Sequence, residues 1–95
     1  MIERHITFNV HPERTVEFEQ FFGAEYAPAI SASDGFVAVG LLREVERPSR
    51  YQMVMRWRDG EAAAGWRTSA VHQALRPALI ALYSDNEIVA YEVIA

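Results

Sequence analysis

His72 and Arg76 stand one helical turn apart, so on a helix they share a face. Histidine exchanges protons near neutral pH more readily than any other side chain, and arginine is a permanent cation. The pair therefore offers proton removal beside a fixed positive charge. Side chains able to enclose a flat apolar ligand lie elsewhere in the chain: Trp57 and Trp66, Met53 and Met55 before them, and Phe22 and Tyr26 on an earlier segment. Each also has an ordinary reading. Tryptophan is usually well buried, methionine fills gaps in cores, Phe22 and Tyr26 fit an amphipathic stripe, and His72 and Arg76 fit a solvated helix surface. His5, Asn9 and His11 alternate along one face of a strand-like segment, a spacing that suggests a metal site. No carboxylate sits among them, so a position facing solvent or a partner sheet suits them better. Cysteine is absent, which excludes disulfides, thiolate metal sites and a cysteine nucleophile.

The elements that must position these residues can be read from periodicity. Ile2 to His11 alternates, with Ile6, Phe8 and Val10 on one face, and predicts a strand ended by Pro12. Glu13 to about Ser31 carries Phe18, Phe21, Phe22, Tyr26 and Ile30 at helical spacing, with Pro28 expected to kink or end the helix. Ser33-Asp34-Gly35 is a turn signal before a second strand, Phe36 to Glu46, with Gly40 as a candidate bulge. Arg47-Pro48-Ser49-Arg50 turns the chain into a third strand, Tyr51 to Arg58, where Tyr51, Met53, Met55 and Trp57 share a face. Asp59 suits a helix N-cap, and Ser69 suits the cap of a further helical stretch through Val71, Leu75, Leu79 and Leu82, with Pro77 distorting or restarting it. Ser84-Asp85-Asn86 reads as the last turn, and Ile88 to Ile94 as the fourth strand.

The order β-α-β-β-α-β predicts an α+β, ferredoxin-like fold with a four-stranded antiparallel sheet, in a single domain over residues 1–95. Such a sheet carries helices on one face only, so the other face needs a cover. With 51% hydrophobic residues, a chain of 95 has more apolar surface than a small core hides. The last strand is apolar in both parities, Ile88, Ala90 and Ile94 against Val89, Tyr91 and Val93. A homodimer through the open sheet face is the simplest cover. The net charge of −4 with no basic stripe gives nucleic-acid binding little support. No stretch approaches the ~20 apolar residues of a membrane span, and the first residues carry no long apolar run, so the expectation is no membrane, no signal peptide and a cytoplasmic location.

Four features, in order along nearly the whole chain, resemble the antibiotic biosynthesis monooxygenase family of the dimeric α+β barrel superfamily. They are Val10-His11-Pro12 before an acidic, Phe-rich helix, Asp34-Gly35-Phe36 opening strand two, Arg50-Tyr51 leading to Arg56-Trp57, and Gly65-Trp66-Arg67-Thr68-Ser69-Ala70-Val71-His72. The resemblance implies an α+β barrel dimer and a cofactor-independent monooxygenase that oxidises a small phenolic, quinol or anthrone-type aromatic substrate with molecular oxygen. On that reading His72, Arg76 and Trp66 are catalytic, with His72 as general base and Arg76 stabilising an oxyanion. Trp57, Met53, Phe22 and Tyr26 line the substrate pocket, and no cofactor or metal is needed.

Two departures keep alternatives open. One oxygenase type of the family carries a polar amide where Met53 stands, so a non-catalytic, dimeric small-ligand-binding module is the first alternative. The haem-degrading branch combines an asparagine, a tryptophan and a histidine. Trp66 corresponds to its tryptophan, but Ile6 and Arg76 stand at the other two positions, with Asn9 nearby. A haem-binding or haem-degrading protein is therefore the second alternative.

Overall fold

The computed structural model describes residues 1–95. Strand β1 (Ile2–Val10) leads through a short 3-10 turn into a helix made of α1 (Thr15–Phe21), a π turn (Phe22–Tyr26) and α2 (Ala27–Ser31). Strands β2 (Phe36–Arg43) and β3 (Arg50–Trp57) form a hairpin. Helices α3 (Gly60–Thr68) and α4 (Ala70–Ile80) follow, and β4 (Tyr83–Glu92) closes the fold. All strand pairs are antiparallel in the order β2-β3-β1-β4, the ferredoxin-like arrangement.

Register assigns the two faces of this sheet. Arg4, Ile6, Phe8 and Val10 point to the helices together with Tyr51, Met53, Met55 and Trp57, and all eight are buried. Phe8 packs on Phe18 and Tyr83, and Phe18 on Tyr51, so aromatic edges join the sheet to α1. The opposite face carries no helix. At its centre Arg56 donates to Glu3, which also pairs with His5 at 2.7 Å, and the His5 ring lies against Tyr91. Leu42 (57% exposed), Val89 (40%) and Tyr91 (48%) are uncovered on this face. The two-faced burial that the sequence suggests for β4 is therefore not supplied by the chain itself: apart from half-buried Tyr83, β4 is exposed along its length.

Local chemistry explains the joints. Pro28 has no N–H to continue the α-helical ladder, and the helix widens just before it, with Ala27 N–H bonding back to the Phe22 carbonyl. The helix bends its hydrogen bonding instead of ending. Gly35 takes φ 76°, and a Cβ there would stand 2.4 Å from the Ala62 Cβ, so both backbone and packing require glycine. Asp59 caps α3 by accepting from Ala62 N–H at 2.9 Å, and Ser69 caps α4 by accepting from His72 N–H at 3.1 Å. Pro77 lies inside α4 without interrupting it, near its C-terminal end.

Two further expectations, both about strands, differ from the structure. Ser84-Asp85-Asn86 is strand, not turn: β4 begins at Tyr83, pairs Asp85 with Asn9, and is held by Ser84 Oγ donating to the Asn9 carbonyl. Long-range pairing overrides the turn propensity of these residues. The irregularity in β2 falls between Phe36 and Ala38, while Gly40 pairs regularly with Val54.

Candidate active site

A cleft of about 330 Å³ opens between α4 and the sheet. Its wall is built from the inward register of β1 (Arg4, Ile6, Phe8), the end of the π turn (Tyr26), Arg67 of α3, His72, Gln73, Arg76 and Leu79 of α4, and Tyr83, Asn86 and Ile88 of β4. The size is at the lower end for small-ligand sites, and half of the lining residues are polar, so the cleft is more polar than most such sites. Arg4 and Tyr26 are buried, whereas Arg67, Gln73 and Arg76 are exposed and form the rim.

The Ser69 cap begins α4 so that His72 lies in the first turn, half-buried, against the Trp66 ring at 5.1 Å between centroids. Its Nδ1 lies 3.0 Å from the Arg67 carbonyl. A carbonyl only accepts, so Nδ1 carries the proton and Nε2 keeps its lone pair when the ring is neutral. Burial pushes the His72 pKa down, aided by the positive charges of Arg76, Arg4 and Arg67, and the bond to the Arg67 carbonyl only partly counters this. The ring is thus neutral at pH 7, with one nitrogen able to accept a proton.

Tyr26 is the complementary group. Trp66 Nε1–H donates to its hydroxyl at 3.3 Å, which leaves the phenolic proton available to another acceptor. Burial raises its pKa, so it stays a donor through the neutral range. Trp66 packs edge-on against Tyr26, with ring centroids 5.7 Å apart. It touches both the His72 and the Tyr26 ring without lining the cleft, and so fixes their positions from behind.

Of the residues singled out in the sequence, the structure brings His72, Arg76 and Tyr26 to the cleft wall and Trp66 directly behind it. Trp57 and Met53 lie in the closed core, Trp57 against Trp66 and Phe36, and its indole N–H has no partner. Phe22 stacks on Tyr26 but opens onto a separate depression, where Arg43 pairs with Glu19. Asn9 lies on the helix-free face, accepting from Arg50 at 3.0 Å, on the opposite side of the sheet from the cleft. No three histidine, aspartate or glutamate side chains gather closely enough to hold a metal ion.

Sequence reasoning missed Arg4 and Arg67. Arg4 is 6% exposed and is the one charged residue among the buried ones. Burial and the charge of Arg67 lower its pKa, and the Tyr26 phenol alone acts in the other direction. Its place was legible, because it continues the inward parity of Ile6, Phe8 and Val10. Arg67 gave no such signal.

Comparison with known proteins agrees with this architecture. The model of the antibiotic biosynthesis monooxygenase family matches residues 1–78. SnoaB from Streptomyces nogalater, a cofactor-independent oxygenase, is 26% identical, with 99% of this chain and 93% of that one covered at a TM-score of 0.89. A candidate antibiotic biosynthesis monooxygenase from Deinococcus radiodurans is 21% identical, covering 100% and 94% at a TM-score of 0.89. A conserved protein from Methanosarcina mazei Go1 is 22% identical, covering 95% and 89% at a TM-score of 0.85. No curated protein matches the sequence significantly. No helix is long and apolar enough to cross a membrane.

Proposed function

The chain belongs to the antibiotic biosynthesis monooxygenase family, and on that premise we propose that the cleft beneath α4 oxidises a phenolic, quinol or anthrone-type aromatic substrate with molecular oxygen and no cofactor. The observation that carries this reading is that a neutral imidazole, a buried phenol donor and arginine cations line one cleft with an apolar floor. The 26% identity with the cofactor-independent oxygenase SnoaB adds to it.

The chemistry asks little more of the protein. His72 Nε2 takes the phenolic proton, and Arg76 with the Tyr26 hydroxyl holds the resulting oxyanion. The anion is electron-rich enough to give its electrons to oxygen itself. For a phenol the balance is one phenol and one O₂ to one quinone and one water; for a quinol it is one hydroxyquinone and one water; for an anthrone the methylene becomes a carbonyl, again with one water. The substrate supplies every electron.

The dimer belongs to the same proposal. A second copy over the helix-free face would cover Leu42, Val89 and Tyr91, which the single chain leaves uncovered. A second reading, binding without turnover, is favoured by Met53, which is apolar and buried where one oxygenase type carries an amide.

The test is oxygen uptake by purified protein with anthrones and naphthoquinols, with and without a chelator. Uptake of one O₂ per quinone formed, unchanged by chelation, is expected. Uptake no faster than in buffer across the panel, with ligands still raising the melting temperature, would select the binding module instead.

A further inference from the structure

The chain's nine basic residues are all arginine. Six of them are paired: Arg14 with Glu17, Arg43 with Glu19, Arg47 and Arg50 with Glu44, Arg56 with Glu3, and Arg58 with Asp34 and Asp59. The remaining three, Arg4, Arg67 and Arg76, have no carboxylate partner, and all three line the cleft beneath α4. No aspartate or glutamate stands in its wall. Acids are not scarce, since the chain has 13 of them. The pairing of arginine with carboxylate is thus complete everywhere except around one cavity.

Such a vacancy is costly. A buried guanidinium without a counter-charge loses hydration and gains nothing in return, which is why buried charges are normally paired. Arg4 is in that position, with Arg67 and Arg76 adding like charge from the rim. A neutral phenol does not relieve it. When His72 accepts the phenolic proton, the imidazole gains the positive charge that balances the new oxyanion, so the sum over the cleft is unchanged. Three positive charges remain unmatched before and after proton transfer.

We propose that the ligand of this cleft is an aromatic acid, whose carboxylate is held by Arg4 with Arg67 at the rim, while Arg76 remains beside the substrate hydroxyl. The planar guanidinium of Arg4 matches a carboxylate in two parallel hydrogen bonds. The apolar floor of Ile6, Phe8 and Ile88 takes the rings. This inference rests on the cleft being the substrate site, and it narrows the substrate from aromatic alcohols in general to those bearing a fixed negative charge.

The experiment is anaerobic calorimetric titration with 1-hydroxy-2-naphthoate and its methyl ester, into wild type, Arg4→Met and Arg67→Gln. The acid binds wild type at least about tenfold more tightly than the ester at low salt, and the advantage shrinks as salt rises. Arg4→Met weakens the acid about ten- to a hundredfold and Arg67→Gln several-fold, while the ester changes less than about twofold. Arg67 is exposed, so its variant keeps the test decisive if Arg4→Met folds poorly. Equal affinity for acid and ester, acid binding unaffected by either substitution, or no binding of either probe at millimolar concentration overturns the proposal. Because oxygen is absent, an acid preference without later turnover would sink the oxygenase reading and leave this one. Turnover of neutral quinols with no acid preference would do the reverse.

Discussion

Replacing Arg4 by methionine should make the protein more stable while weakening the hold of its cleft on an aromatic acid. Arg4 is 6% exposed, makes no ion pair and shares its field with two other cations. Methionine keeps the length and apolar stem of the side chain, so little packing is lost. What disappears is the desolvated charge. Replacing buried ionic groups by apolar ones of similar volume often stabilises by about 1–4 kcal/mol. No nitrogen of Arg4 is both sealed from solvent and unpartnered, so desolvation is incomplete and the lower half of that range, about 1–2 kcal/mol, applies. For a domain of this size that corresponds to a rise in Tm of roughly 5–15 °C. Thermal unfolding followed by circular dichroism at low and high salt reads it directly, and salt should narrow the gap by screening the three arginines. A fall in Tm of 5 °C or more at low salt would mean that Arg4 holds the fold together, and the reasoning from an unpaired charge would fail.

Four further outcomes follow from the structure. His72→Gln should lower kcat/KM about a hundredfold or more while leaving the fold intact. In wild type the acid limb should lie below the ordinary histidine value of about 6.5, because the folded pKa is lowered and activity is lost only as pH falls through it. A limb above that value would remove His72 from the role of base. Tyr26→Phe deletes the acceptor of the Trp66 N–H bond, leaving a buried donor unpaired; denaturant unfolding should show a loss of about 1 kcal/mol, and unchanged stability would mean that the bond is not formed. Gly35→Ala forces a side chain into a positive-φ position against Ala62 and should cost about 2–4 kcal/mol.

Much of the fold was legible in the sequence because periodicity reports which face of each element is buried. The alternation of Ile6, Phe8 and Val10 and of Tyr51, Met53, Met55 and Trp57 matches the inward register of β1 and β3. Asp59 and Ser69 announced their helices by capping chemistry. The start of β4 was hidden, because Ser84, Asp85 and Asn86 have turn propensity and become strand only by pairing with a segment some 75 residues earlier. The cleft was partly legible. One helical turn placed His72 and Arg76 together, but spacing along the chain does not reveal depth, so Trp57 and Met53 could not be told from pocket walls. Arg4 was visible as a charge on an apolar parity. Its meaning needed the third dimension, which shows that it shares one cleft with Arg67 and Arg76 and that no acid stands in the wall.

The location of a bound ligand tests the central claim most directly. A crystal structure with 1-hydroxy-2-naphthoate should place the rings over Ile6 and Phe8, the hydroxyl within hydrogen-bond reach of His72 Nε2 and the carboxylate on Arg4. Density for the probe in the depression beside Phe22, or on the helix-free face of the sheet, with the space under α4 still vacant, would contradict it.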